Sequence, residues 1–167
     1  IWIIAVKNEV KEVLVYLNKT ENQPEISCIN LQSSEPEFHF NLDDEKHCQS
    51  EFSIPKKYIH IPNNSVLKSG AFNLVSEKFG LKKLHQNTHI YTFEEKIEHF
   101  PGRIFETEEI NSKAIKKGEQ FNIITKNFPL KPEEIKKKYK IKDGGNQYLI
   151  AVKSLSGNHF LVGKLLD

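Results

Sequence analysis

Pro132 constrains the fold more sharply than any other residue in the sequence. A proline has no N–H and a fixed φ, so in a helix running through Pro-Glu-Glu-Ile-Lys-Lys-Lys-Tyr it can sit at the first position, where the missing N–H costs nothing. Glu133 and Glu134 then fall in the first turn and Lys136, Lys137 and Lys138 later, which suits both ends of the helix dipole. Ile135 and Tyr139, four apart, predict a buried stripe, with Leu130 in front of it and Ile141 behind. Asp143-Gly144-Gly145 reads as the stop of this helix. Phe121–Lys126 before it reads as a strand, and Tyr148–Leu155 and Phe160–Leu166 after it as a hairpin turning at Ser156-Gly157-Asn158. Asn127–Asp167 is therefore expected to be a short, lysine-crowded helix pinned against a two-stranded ribbon. It offers no catalytic group and suits the holding of a polyanion.

The charge along the chain supports that reading. Net charge is only +2 over 167 residues, but it is segregated. Between Ser33 and Phe52 six acids (Glu35, Glu37, Asp43, Asp44, Glu45, Glu51) stand against Lys46. Between Ser112 and Lys142 ten lysines stand against Glu119, Glu133 and Glu134. A local basic field of this kind attracts phosphates whatever the total charge. Lys126, Lys131, Lys136, Lys137, Lys138, Lys140 and Lys142 are the candidate contacts, each a point charge able to displace counterions from a polyanion. A solvated helix face that aids solubility accounts for the same residues. Phe128 and Tyr139 lie among them as stacking surfaces would, although Tyr139 is equally a core residue.

Ile1–Val6 (Ile-Trp-Ile-Ile-Ala-Val) reads as a strand buried on both faces, as in parallel sheets. Val10, Val13, Leu14 and Leu17 recur at helical spacing and predict a covering helix over Asn8–Asn18. Ile26–Leu31 is the next strand, and Phe38 and Phe40 alternate on another. Asp43–Glu51 is expected to be a solvated acidic loop. Tyr58–Ile61 is strand-like. Asn63, Asn64 and Ser65 then offer N-cap oxygens to a helix from Val66 to Phe79, closed by Gly80, with Gly70 admitting a close neighbour. His89–Thr92 reads as a short strand, Phe93–His99 as a helical turn, Arg103–Glu108 as a strand, and Lys113–Lys117 as a short helix. The pattern divides at Pro55 and near Ile110 into residues 1–54, 55–107 and 108–167. The class is α/β passing into α+β. The chain contains no methionine and opens on an apolar run, which predicts that it is a segment with further chemistry upstream.

Other motifs carry little. No apolar run approaches the roughly 20 residues a membrane helix needs. Cys28 and Cys48 form neither a ligand pattern nor a disulfide framework, which points to a reducing cytoplasm. His85 and His89 are four apart but separated by a turn-like Gln86-Asn87-Thr88, with no acid or cysteine at ligand spacing. His47-Cys48 lies in an acidic stretch that raises a thiol pKa and so disfavours a nucleophile. Asp143-Gly144-Gly145 follows a helix instead of preceding one and is not a phosphate loop. These observations predict no catalytic, cofactor-binding or metal-ligating residue in the chain.

Several runs, taken in order, resemble one family. They are Ile1–Leu14, Pro62-Asn63-Asn64-Ser65-Val66-Leu67-Lys68-Ser69-Gly70-Ala71-Phe72, Phe100-Pro101-Gly102-Arg103-Ile104-Phe105-Glu106, and Lys126–Glu134 through Lys142-Asp143-Gly144-Gly145. Together they resemble the class I S-adenosylmethionine-dependent methyltransferases that carry a ferredoxin-like domain and a C-terminal THUMP-like domain. The resemblance implies that residues 1–54 are the truncated edge of a Rossmann-like methyltransferase sheet, 55–107 the ferredoxin-like domain and 108–167 the THUMP-like domain. It implies S-adenosylmethionine as the cofactor of the longer protein, with its glycine loop and catalytic motif upstream of residue 1, so that this segment alone is inactive. It implies an RNA partner, tRNA or rRNA, and the upstream methyltransferase domain as a second partner. The rival reading is a structural module that braces or dimerises that domain through the Trp2 strand. An independent hydrolase or metal enzyme ranks last.

Overall fold

The computed structural model describes residues 1–18 and 23–166. Residues 19–22, in the first predicted segment, and Asp167, at the end of the third, lie outside the described residues. The chain forms two compact units. One comprises Ile1–Glu51, Ile61–Leu81 and Ile97–Arg103, and the other Phe52–His60, Lys82–Lys96 and Ile104–Asp167.

The first unit holds a four-stranded sheet in the order β2-β1-β3-β4, built from β1 (Trp2–Val6), β2 (Glu9–Leu14), β3 (Glu25–Leu31) and β4 (Phe38–Asn41). β1 runs parallel to β3, while β2 and β4 are antiparallel to their neighbours. The helix expected over Asn8–Asn18 is not formed. Lys7 and Asn8 both take positive φ (49° and 64°) and pair Val6 with Glu9 across a two-residue turn of the kind that joins twisted strands. Val10 and Val13, β-branched, fit a pleated surface at least as well as a helix. β1 is not covered on both faces either, since Ile3 and Ala5 are buried but Trp2 is 40% exposed.

Asn8 also ties this turn to the next element. Its backbone N–H donates to Asn30 Oδ1 (2.8 Å), and its side-chain oxygen accepts the Asn64 N–H (2.7 Å). Asn63 caps α2 (Asn64–Ser69) by accepting the Val66 N–H, and α2 packs on β1, β2 and β3. The single helix expected from Val66 to Phe79 is broken. Gly70 adopts φ +80° as the left-handed stop of α2, and α3 (Phe72–Phe79) restarts after Ala71 and ends at Gly80 (φ +63°). No neighbour approaches Gly70, so its role is the stop and not close packing. The acidic segment is more than a solvated loop. It contains a helical turn, α1 (Asp44–His47), and the Glu45 carboxylate accepts the N–H groups of Asn73 and Leu74 at 2.7–3.0 Å, capping α3. Phe38, Phe40, Phe79 and Phe100 fill the core with ring centroids 5.4–6.0 Å apart.

The second unit is organised on a seven-stranded sheet in the order β6-β7-β5-β8-β11-β10-β9. Its strands are β5 (Tyr58–Pro62), β6 (Lys82–His85), β7 (Thr88–Phe93), β8 (Gly102–Ile110), β9 (Gln120–Lys126), β10 (Lys142–Ser154) and β11 (Gly157–Leu166). β6 and β7 form a hairpin around Gln86-Asn87. Phe93–His99 takes no helix, and the helix expected at Lys113–Lys117 reduces to a 3₁₀ turn over Ser112–Ala114.

α4 (Pro132–Tyr139) begins at Pro132 and connects β9 to β10, which run parallel. Leu149, Ile150, Ala151 and Val152 are all fully buried. Successive strand residues point to opposite faces, so both faces of β10 are covered. Ile135, Ile141, Ile115, Phe121, Leu149 and Ala151 form the core on the α4 side. On the other side Thr88 Oγ1 donates to Lys153 O (3.0 Å) and Leu155 N–H to Leu84 O (3.0 Å), curling the β6–β7 hairpin over β10. The stop of α4 is Lys140, left-handed at φ 55°, and not the diglycine. Gly144 and Gly145 lie in a bulge of β10 where the register with β9 jumps from Asp143 to Tyr148. Asn122 Nδ2 clamps this bulge by donating to Gly145 O (2.8 Å).

Candidate nucleic-acid interface

The β9–α4–β10 crossover decides where the seven predicted lysines stand. Gln120 pairs with Lys142 and Lys126 with Val152, so Lys142 and Lys126 mark opposite ends of β9, about 20 Å apart. Lys131 precedes the first turn of α4 and Lys140 follows its last, a separation of about 13 Å along the axis. The seven are thus two groups. Lys126 and Lys131 lie at the end where α4 begins, and Lys136, Lys137, Lys138, Lys140 and Lys142 at the end where it stops. All are exposed except Lys136, which is largely covered.

Lys136 is also held by two acids. Its Nζ lies 2.7 Å from Asp143 Oδ2 and 2.6 Å from Glu133 Oε1, and these hydrogen bonds, Asp143 first, raise its pKa. A lysine clamped between two carboxylates is a weak phosphate contact. The aromatic residues are occupied as well. Tyr139 and Phe128 both meet Phe160 edge-on, at 5.6 and 5.0 Å between centroids. Both are partly buried and packed against the α4 core, which engages them as structural rings.

Lys116 and Lys117, outside the predicted group, join its larger part. Gly118, directly after Lys117, donates its N–H to Lys140 O (2.9 Å), and Lys142 N–H donates to Glu119 O (2.8 Å). Nothing in the local pattern of residues 112–120 signals this meeting, because it depends on the strand pairing.

The remaining titratable groups behave as structural ones. Among the described residues no three or more His, Cys, Asp or Glu side chains converge as a metal site would require. His85 and His89 sit on adjacent strands, and Asn87 N–H donates to His85 Nδ1 (3.1 Å). Burial pushes His60 and His89 down to about 4, aided at His89 by Lys83 and Lys126. The Cys48 thiol is pushed up by burial and by Glu77, Glu45 and Asp44, and Cys28 up to about 11 by burial. Ser154, His159 and Glu109 form a hydrogen-bonded line at the tip of the β10–β11 hairpin that sequence order does not reveal. Ser154 is only 1% exposed, so its hydroxyl is shut off from a substrate and the line acts as a clasp. β1 leads through the Lys7-Asn8 turn into another strand, not through a glycine loop into a helix, so these residues do not fit an S-adenosylmethionine site.

The first unit carries a separate apolar surface. Trp2, Val13, Leu14, Val15, Tyr16 and Leu17 are all exposed, Leu17 by 85%. Ile1, Trp2, Val15, Tyr16 and Leu17 line an open hollow of about 460 Å³. No helix among the described residues is long and apolar enough to cross a membrane.

Comparison with known proteins fits this architecture. A family model for a ferredoxin-like domain matches residues 58–101, and one described as THUMP domain-like matches residues 102–163. A crystal structure of a provisionally assigned methyltransferase from Porphyromonas gingivalis W83 superposes with a TM-score of 0.83 at 31% identity, covering 98% of this chain. The chain spans 45% of the length of that protein. No curated protein matches the sequence.

Proposed function

We propose that the chain is the RNA-handling part of an S-adenosylmethionine-dependent RNA methyltransferase, with the chemistry performed by another domain of a longer protein. The observation that carries this reading is the exposed lysine group at the C-terminal end of α4, embedded in a THUMP-like domain. A second support is the likeness to a provisionally assigned methyltransferase over nearly the whole chain. Lysines on a rigid crossover position a phosphate backbone without reading bases, which is what a substrate-holding appendage must do. The four-stranded sheet would complete the edge of a Rossmann-like methyltransferase sheet.

Electrophoretic mobility shift with a structured RNA at two salt concentrations tests the reading. Binding should weaken steeply with salt and be abolished when Lys137, Lys138 and Lys140 are changed to Glu. Absence of affinity, or affinity indifferent to those changes, rules it out. The exposed Trp2, Val15, Tyr16 and Leu17, which line one hollow, favour a second role, a brace against the methyltransferase domain, since exposed apolar groups of this kind are usually covered. Light scattering distinguishes a monomer from a dimer formed through this face.

A further inference from the structure

We infer that RNA is held at one end of the β9–α4–β10 crossover only, by Lys116, Lys117, Lys137, Lys138, Lys140 and Lys142, through the sugar-phosphate backbone of a duplex. The inference rests on the RNA reading above and names the part of the surface and the kind of RNA it requires. The backbone bonds from Gly118 to Lys140 and from Lys142 to Glu119 hold the lysine-bearing loop, the helix stop and the start of β10 together. Six exposed lysines from three chain segments thus share one end. The acids there are Glu119, whose carboxylate accepts the Lys116 N–H (2.7 Å), and Asp143, engaged by Lys136, which Glu133 also holds from the first turn of α4. Positive charge remains in excess.

Lys126 and Lys131 stand apart from this end by more than a Debye length at physiological salt, about 8 Å, so the two groups act as separate fields. The class of RNA follows from how the aromatic ring beside these lysines is engaged. Recognition of single strands needs aromatic faces on which bases stack, and Tyr139, the last residue of α4, is packed edge-on against Phe160 with Lys138 Nζ 5.5 Å from its ring centroid. A cluster of point charges instead fits the regular phosphate rows of a helix.

The test compares the intact chain with Lys116→Glu/Lys117→Glu and with Lys126→Glu/Lys131→Glu, using an RNA hairpin and an unstructured single strand of equal length. Far-UV circular dichroism and thermal melts establish that each variant remains folded. The first variant should lose at least tenfold in hairpin affinity and flatten the slope of log affinity against log salt by about 2, while the second stays within about twofold of the parent. Equal losses in both variants, or tighter binding of the single strand, overturn the inference while leaving RNA binding intact. Failure of the parent chain to bind either RNA removes the functional reading and this inference with it.

Discussion

Glu109 Oε1 lies 2.6 Å from His159 Nδ1, and the other nitrogen of the same ring lies 2.7 Å from Ser154 Oγ. The three residues come from β8, β11 and β10, so this line crosses the strands where the hairpin turns. Ser156 adds its hydroxyl at 2.8 Å from Ser154 Oγ and its N–H at 3.1 Å. Replacing His159 with Ala removes one of the three partners of a buried hydroxyl together with the bond to Glu109, and should lower stability by about 0.5–1.5 kcal/mol. Urea unfolding reads the change. An unaltered midpoint in His159→Ala would show that the line does not clasp the hairpin.

Gly102 supports a different kind of prediction, because its neighbours are backbone. An added Cβ would collide with the Ile61 carbonyl oxygen and stand 2.7 Å from Pro62 Cα and 2.9 Å from Asn63 N. No rotamer change relieves such a clash. Gly102→Ala should cost about 3 kcal/mol or more. Gly80→Ala meets no atom within 4 Å and strains only a left-handed φ of +63°, costing about 1–2 kcal/mol. Thermal melts of the two variants should keep that order.

What the sequence made legible follows the range of the interactions involved. α4 was readable because Pro132, the acid-then-base order and the Ile135–Tyr139 spacing all act within one helix. β2 was misread because Val10, Val13, Leu14 and Leu17 satisfy a helical period. The residues that decide for a hairpin are the left-handed Lys7 and Asn8, and they are tied down by distant partners, Lys7 N–H by Leu31 O and Asn8 by Asn30 and Asn64. Glu45 looked like one acid among many, since the helix it caps begins 27 residues later at Phe72. For the candidate interface, a lysine count was available but its division was not. The parallel pairing of β9 with β10 separates Lys126 from Lys142, and no local pattern encodes a crossover.

Acid should weaken the second unit through His60. This ring is fully buried, and burial lowers its pKa from 6.5 to about 4. The folded state therefore binds fewer protons than the unfolded chain between these values. The stabilising contribution is present above pH 6.5 and is lost as pH falls towards 4. Between pH 7 and pH 5 the loss attributable to His60 is roughly 2 kcal/mol. His89, lowered in the same direction, adds to it. Urea titrations at the two pH values should show a smaller difference in His60→Leu than in the parent. An equal difference would assign the acid sensitivity to other groups.

Asp143 sets how much of the lysine group is available to phosphate. Its carboxylate and that of Glu133 hold Lys136 Nζ at 2.7 and 2.6 Å, and their hydrogen bonds raise the lysine pKa. The ammonium is thereby kept charged but directed to protein oxygens, and the acid cancels part of the field around Lys137, Lys140 and Lys142. Asp143→Asn keeps the shape of the side chain and one acceptor oxygen while removing the charge. Lys136 then retains only Glu133 as an ionic partner and becomes the seventh cation at that end. If RNA is bound there, affinity should rise a few-fold and the salt slope should steepen by up to about 0.7–0.9, the increment expected for one added phosphate contact. Mobility shifts at two salt concentrations measure both quantities. Weaker binding in Asp143→Asn would mean that the carboxylate orients the bulge or the lysine for contact and does not compete with phosphate for Lys136.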